Sequence, residues 1–183
     1  MILLERDKMK LFIDTSQPEL MIAFFDNDFQ VIKYQTSQLK EKVELMLAFF
    51  QEIDQSFWQQ VNQIYINLGP GSFTGCRIAL LYVRTWSQIK NIPIFTCSIF
   101  DLLKAQKQHP NQQAIAIHAT AKKSYLLEAN QLFLVDKKQE EEFLDYLSLI
   151  YNFVNYLSVF KQTKIEDLKP IYGSNPQINF LKK

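Results

Sequence analysis

The chain has 183 residues, 48% of them hydrophobic, and its 20 Lys and Arg against 19 Asp and Glu leave a net charge of +1. This composition is too apolar for disorder and supplies enough chain for one large domain or two small ones sharing a core. The charge balance excludes a whole-molecule field that would draw the protein to nucleic acid or an anionic membrane, so any RNA contact must be local.

The two cysteines, Cys76 and Cys97, each lie in an apolar stretch. They read as small buried hydrophobes of a reducing compartment rather than a disulfide pair. Met1-Ile2-Leu3-Leu4 gives way at once to Glu5-Arg6-Asp7-Lys8, an apolar run too short for a signal peptide or a membrane span, which predicts a cytoplasmic protein. Residues 1–8 read as an extension ahead of Met9, an alternative start.

In chain order, short apolar runs predict strands at Lys10–Asp14, Leu20–Phe25 and Val31–Tyr34, joined by links of hairpin length into an antiparallel meander. From Ser37 to Asp54, Leu39, Val43, Met46, Leu47, Phe50 and Ile53 recur at three- and four-residue spacing, which predicts a helix; Leu45 and Phe49 widen its apolar face. A strand at Gln63–Asn67 runs into a glycine-rich loop, followed by a helix from Gly75 to Lys90 with Ile78, Tyr82, Trp86 and Ile89 on one side. Pro93–Cys97 reads as a strand, and Ser98 as the cap of a helix from Ile99 to about Gln108. The polar stretch His109–Gln113 marks a boundary between units 1–108 and 109–183. Beyond it come strands at Ala114–Ile117, Ser124–Glu128 and Gln131–Val135, then a helix from about Gln139 to Leu157, with Asp136 and Glu140-Glu141-Glu142 as its acidic N-terminal turn. Three strands and then a helix, twice over, is the order of a duplicated ribonuclease-H-like half, the second copy shortened.

The loop Leu68–Arg77 holds three of the four glycines in the chain. It lacks the lysine of a P-loop, spaces its glycines one residue too widely for a dinucleotide fingerprint, and places Phe73 where a nucleophile elbow needs serine. His109 falls in the linker and His118 stands without an evident acidic partner, so a serine peptidase built on Ser72 lacks a base. There remains a tight turn that sets a helix onto a sheet, with Ser72 or Thr74 capping the helix start. Ser72, Thr74 and Arg77 are also candidates for holding phosphate there. Asp14-Thr15-Ser16, at the end of the first strand, is either an Asx-type turn or a site where a carboxylate holds magnesium through water and hydroxyls touch phosphate. By spacing alone, packing and capping outweigh anion binding, and the turn outweighs the metal.

Ile13-Asp14-Thr15-Ser16, the heptapeptide Gly69-Pro70-Gly71-Ser72-Phe73-Thr74-Gly75 with Arg77-Ile78 behind it, and Lys169-Pro170-Ile171-Tyr172 together resemble the TsaB (YeaZ) family. The heptapeptide is the most specific of the three. The resemblance implies an α/β fold of the actin-like, ribonuclease-H-like kind in two lobes. It also implies a non-catalytic scaffold in the bacterial machinery that makes threonylcarbamoyladenosine beside the anticodon of certain tRNAs. In that family the partner TsaD carries the metal and transfers the threonylcarbamoyl group, TsaE is an ATPase that joins the assembly, and TsaC supplies the adenylate intermediate. It therefore implies no cofactor and no metal on this chain and tRNA reached only through the complex; an exposed apolar face on the first-lobe helices seldom stays uncovered, which predicts a homodimer when the partner is absent. The implied partner surface is formed by the first-lobe helices, here Leu39, Val43, Leu45, Met46, Phe49 and Phe50 on one and Ile78, Tyr82 and Trp86 on the other. A small actin-like ATPase or kinase using Asp14, Thr15 and the glycine loop is the alternative. His118-Ala119-Thr120 stands where the family often shows Asp-Ala-Arg, and Gly173-Ser174-Asn175 replaces its usual Leu-Arg.

Overall fold

The computed structural model describes residues 8–38, 53–107, 114–137 and 140–172. Strands β1 (Met9–Asp14), β2 (Glu19–Phe25), β3 (Val31–Gln38), β4 (Val61–Asn67), β5 (Ile94–Cys97) and β9 (Lys161–Thr163) form one sheet in the order β3-β2-β1-β4-β5-β9. The opening meander is antiparallel, β1 pairs parallel to β4 and β4 to β5, and β9 closes the far side antiparallel to β5. Beyond their first residues, β1 and β2 are buried on both faces, as their unbroken apolar runs require.

Because successive side chains alternate across a strand, one sheet feeds two cores. Leu11, Ile13, Ile22, Phe24, Ile64 and Ile66 pack on one face against helices α1 (Gln55–Gln60) and α2 (Phe73–Lys90). Phe12, Met21, Ala23, Phe25 and Tyr65 point the other way. They meet α3 (Ile99–Lys107), α4 (Tyr146–Tyr151) and the 3-10 helix Phe153–Val159. A second sheet, β6 (Ala114–Thr120), β7 (Lys123–Glu128) and β8 (Gln131–Asp136), is an antiparallel meander that sends Ile115 and Ile117 into this second core.

Four expectations need correction. Ser37 and Gln38 lie in β3, and Asp54 caps the separate short helix α1, whose Trp58 is buried. The remainder of the helix expected there, with Leu39, Val43, Leu45, Met46, Phe49 and Phe50, lies outside the described residues, as does the His109–Gln113 linker. The expected helix from Gln139 to Leu157 begins only at Tyr146, with Asp145 as its cap, and tightens to 3-10 after Asn152. Its supposed acidic turn does other work. Asp136 ends β8 in an ion pair with Lys123 at 2.7 Å, and Glu141 meets Lys137 at 3.4 Å and His118 at 3.5 Å, so His118 does have an acidic partner. Burial opposes ionisation of Glu141, but the Ser124 hydroxyl, donating at 2.6 Å, and Lys137 outweigh it and hold the carboxyl below its ordinary range.

Candidate functional site

The carboxyl ends of the parallel neighbours β1 and β4 bring Asp14 and Asn67 side by side, and the turn after β1 meets the glycine loop after β4. Asp14 is wholly buried and accepts four hydrogen bonds. The Ser16 backbone N–H and hydroxyl donate to Oδ1 at 2.8 and 2.7 Å, closing the Asx turn expected there. The Asn67 amide and the Tyr146 hydroxyl donate to Oδ2 at 2.7 and 2.8 Å. Burial raises the Asp14 carboxyl above its usual range even against these four donors, and burial together with Asp14's charge pushes the Tyr146 hydroxyl well up. Burial, then the nearby Asp14 and Asp101, also raises the Cys97 thiol.

Because the folded pKa of Asp14 is raised above its unfolded value, its contribution to stability is fully present below the unfolded value and is lost as pH rises through the folded one. Asn at this position does not titrate. Wild type is therefore expected to hold its largest advantage over Asp14→Asn at acid pH, with the gap shrinking towards neutrality. Urea unfolding of both proteins across pH checks this, and a gap that widens as pH rises contradicts it.

The loop is seated directly on the turn. The Ser72 backbone N–H donates to the Ser16 carbonyl at 2.6 Å, the Thr15 hydroxyl to the Gly75 carbonyl at 2.7 Å, and the Gly69 N–H to Asn67 Oδ1 at 3.0 Å. A methyl group on Gly71 would lie 2.2 Å from the Ser16 carbonyl oxygen, and one on Gly75 would lie 1.9 Å from that of Thr15. Backbone thus meets backbone with no room for a side chain. Gly69 has φ +97° and precedes a cis Pro70. Ser72 caps α2 by accepting from the Gly75 N–H at 3.3 Å, as its position in the heptapeptide suggests.

The phosphate candidates do not converge. Asp14 and Thr15 are buried beneath the loop, while Thr74 and Arg77 are exposed on the first turns of α2. Arg77 lies over the Phe73 ring, 3.8 Å from its centroid, and its Nε donates to the Tyr172 hydroxyl at 3.1 Å. The Ile171 N–H in turn donates to the Leu68 carbonyl at 2.8 Å, so the Lys169–Tyr172 motif is bound to the glycine loop. Of the partner candidates on α2, Ile78, Tyr82 and Trp86 are half-buried against the first core, and Trp58 packs edge-on to Tyr82 with ring centroids 5.1 Å apart. Burial pushes the Tyr82 hydroxyl up to about 12. The outward apolar residues of α2 are others: Phe73, Leu81 and Ile89 are 43%, 68% and 66% exposed.

Sequence reading missed Asn67, Tyr146 and these outward residues. A polar residue closing an apolar strand was a usable signal for Asn67; Tyr146, 132 positions from Asp14, offered none. Among the described residues no three His, Cys, Asp or Glu side chains cluster where a metal could sit, and no helix is long and apolar enough to cross a membrane.

The tRNA threonylcarbamoyladenosine biosynthesis protein TsaB of Bacillus subtilis (strain 168) is 32% identical over 102 residues, 54% of this chain and 44% of that protein. An uncharacterized protein of Mycoplasma pneumoniae is 28% identical over 125 residues, 65% of this chain and 62% of that one. The chain spans about half the length of these curated relatives, and no family model matches it. Among solved structures, YeaZ from Pseudomonas aeruginosa superposes with a TM-score of 0.58 at 16% identity, covering 90% of this chain and 99% of that one. The crystal structure of an uncharacterized protein with similarity to peptidase YeaZ from Pseudomonas aeruginosa gives a TM-score of 0.60 at 16% identity, covering 91% of this chain and 100% of that one. The fold is therefore that of the YeaZ structures, the actin-like α/β arrangement expected from the sequence.

Proposed function

We propose that the chain belongs to the TsaB (YeaZ) family and is a non-catalytic scaffold that binds and stabilises a TsaD-like enzyme for threonylcarbamoylation of adenosine beside the anticodon of tRNA; the 32% identity to the TsaB of Bacillus subtilis over 102 residues supports this reading. In this reading it works in the cytoplasm, a TsaE-like ATPase joins the larger assembly, tRNA is reached only through the complex, and the free chain pairs with itself. In this reading the lobes are 1–108 and 109–183; β9 pairs with β5 of the first sheet.

The observation that carries this reading is the outward face of α2, where Phe73, Arg77, Leu81 and Ile89 stand exposed on a helix that is anchored on its other side by the buried Cys76, Ala79, Leu80 and Val83. Apolar side chains interleaved with an aromatic-stacked arginine are the composition of an interface hot spot. Phosphate chemistry at Asp14 fits poorly, since four donors already occupy a carboxylate that no solvent reaches.

The test is co-elution of the purified chain with a TsaD-like enzyme at micromolar concentration. Leu81→Glu with Ile89→Glu is expected to weaken the complex at least about tenfold while leaving the melting temperature within about two degrees, because both side chains face solvent in the free protein. Unchanged affinity in that variant removes the stripe from the interface.

A further inference from the structure

We propose that Tyr146 is a positioning residue that fixes the pose of the docking helix α2 from the opposite side of the sheet. The proposal rests on the reading of α2 as the partner surface. Tyr146 itself is held from two directions. Asp145 caps α4 by accepting from the Ser148 N–H at 3.0 Å. The same Asp145 is clasped by Gln106 of α3, whose amide donates to the Asp145 carbonyl and whose Oε1 accepts the Asp145 N–H, each at 2.8 Å. The Tyr146 ring is 4% exposed and lies among the residues of the second core, which leaves its hydroxyl one place to go, the Asp14 carboxylate at 2.8 Å.

From Asp14 the connection continues without a break to the start of α2. Asn67 bridges Asp14 Oδ2 to the Gly69 N–H. Ser16 bridges Asp14 Oδ1 to the Ser72 N–H, and the neighbouring Thr15 hydroxyl holds the Gly75 carbonyl in the first turn of α2. Asp14, Thr15, Ser16, Asn67 and Tyr146 are all buried, so a lost partner is not replaced by water. Removing the Tyr146 hydroxyl leaves a buried charge with three donors in place of four. The carboxylate then turns further towards Ser16 and Asn67, the two residues that set the loop. The seating of α4 on the second core is thereby transmitted to the face that a partner meets on the first.

The test uses the full chain carrying Tyr146→Phe, which keeps the ring in the core and removes only the hydroxyl. Tyr156→Phe serves as the comparison, since that hydroxyl accepts a 3.5 Å bond from Gln106 and makes no contact with the loop. Amide hydrogen exchange in the free protein is expected to accelerate about tenfold at Ser72, Gly75 and Cys76 in Tyr146→Phe and to stay unchanged there in Tyr156→Phe. Affinity for the TsaD-like enzyme is expected to fall several-fold in Tyr146→Phe alone. In an Asp14→Asn background the same change is expected to add nothing at these amides, because both substitutions cut one connection. Equal protection at the three amides in Tyr146→Phe and wild type overturns the proposal, as does full additivity with Asp14→Asn. The exchange arm needs no partner, so it separates failure of this coupling from failure of the docking reading, which Leu81→Glu with Ile89→Glu tests.

Discussion

Gly75→Ala is expected to destabilise the protein by at least about 3 kcal/mol, and Gly71→Ala by a similar amount, lowering the melting temperature by roughly 6–12 °C in a chain of this size. The reason is geometric. An added Cβ meets the Thr15 carbonyl oxygen at 1.9 Å in the first case and the Ser16 carbonyl oxygen at 2.2 Å in the second. Neither obstacle is a flexible side chain that can swing aside. Both belong to the turn that the Asp14 hydrogen bonds hold rigid, and Ser16 is also tied to Ser72 through the backbone. Relief requires the glycine loop to lift off the sheet, which breaks the Thr15–Gly75 and Ser16–Ser72 bonds together. Thr74→Ala, at an exposed position between the two glycines, is the control and is expected to change stability by less than about 0.5 kcal/mol. Urea unfolding followed by the fluorescence of Trp58 and Trp86 measures all three; a Gly75→Ala loss below about 1 kcal/mol contradicts the close packing described above.

Phe153→Ala is expected to cost about 3–5 kcal/mol. Phe153 is 1% exposed, and five rings surround it: Phe25, Phe12, Tyr65, Phe160 and Phe29 at centroid distances of 4.6, 5.4, 5.4, 5.5 and 5.7 Å. Those partners come from β1, β2, the β2–β3 turn, β4 and the residue after the 3-10 helix, so the cavity left by truncation borders several elements that cannot all collapse inwards at once. The Phe29 contact adds to the loss. Phe29 holds a left-handed backbone with φ +59°, unusual for an aromatic residue, and its ring is stacked on Phe153 on one side with the Lys10 ammonium 4.0 Å from its centroid. Phe143→Ala, at a site 63% exposed, is expected to be nearly neutral under the same urea titration. If the two substitutions prove equally costly, the aromatic cluster is not what joins α4 and its 3-10 extension to the sheet.

The strands were the legible part of this molecule. Leu11-Phe12-Ile13 and Leu20 to Phe25 are apolar without interruption because they lie under helices on both faces, and a buried central strand announces itself in that way. The helix after Cys97 was equally plain, since Ser98 and Asp101 cap each other reciprocally, at 2.7 Å between hydroxyl and carboxylate. The second lobe was harder to read. Glu140-Glu141-Glu142 looks like a helix start in one dimension, yet Glu141 is drawn away by Ser124, His118 and Lys137 on β7, β6 and the end of β8, a set assembled only by tertiary structure. Phe153–Val159 has an apolar spacing that serves either an α or a 3-10 path, and the chain takes the latter, with Phe153 packed on Phe12 and Phe25.

At the candidate site, the glycines read as a close-packing turn, Ser72 as a helix cap and Asp14 as an Asx turn, and all three hold; what they pack against was not visible. Glycine spacing describes a loop that something approaches closely; here that something is the chain's own backbone, which no local pattern encodes. On α2 the sequence reading placed Ile78, Tyr82, Trp86 and Ile89 on one side and passed over Leu81, which is exposed, and Ala79, Leu80 and Val83, which form the buried side. Tyr82 and Trp86 pack edge-on to Trp58 and Ile78 is half-buried against the first core, while Leu81 and Ile89 turn to solvent.

The return of β9 to the edge of β5 has a consequence for how the polypeptide is made. Residues 161–163 complete a sheet whose other strands are all synthesised before Ser98, and an entire second sheet is threaded between. Until the ribosome has extruded that late strand, the nascent β5 presents an open row of backbone donors and acceptors, the kind of template on which other chains polymerise. A fragment ending at Lys107 inherits the same exposure permanently, and it is expected to aggregate where the full-length translation product does not.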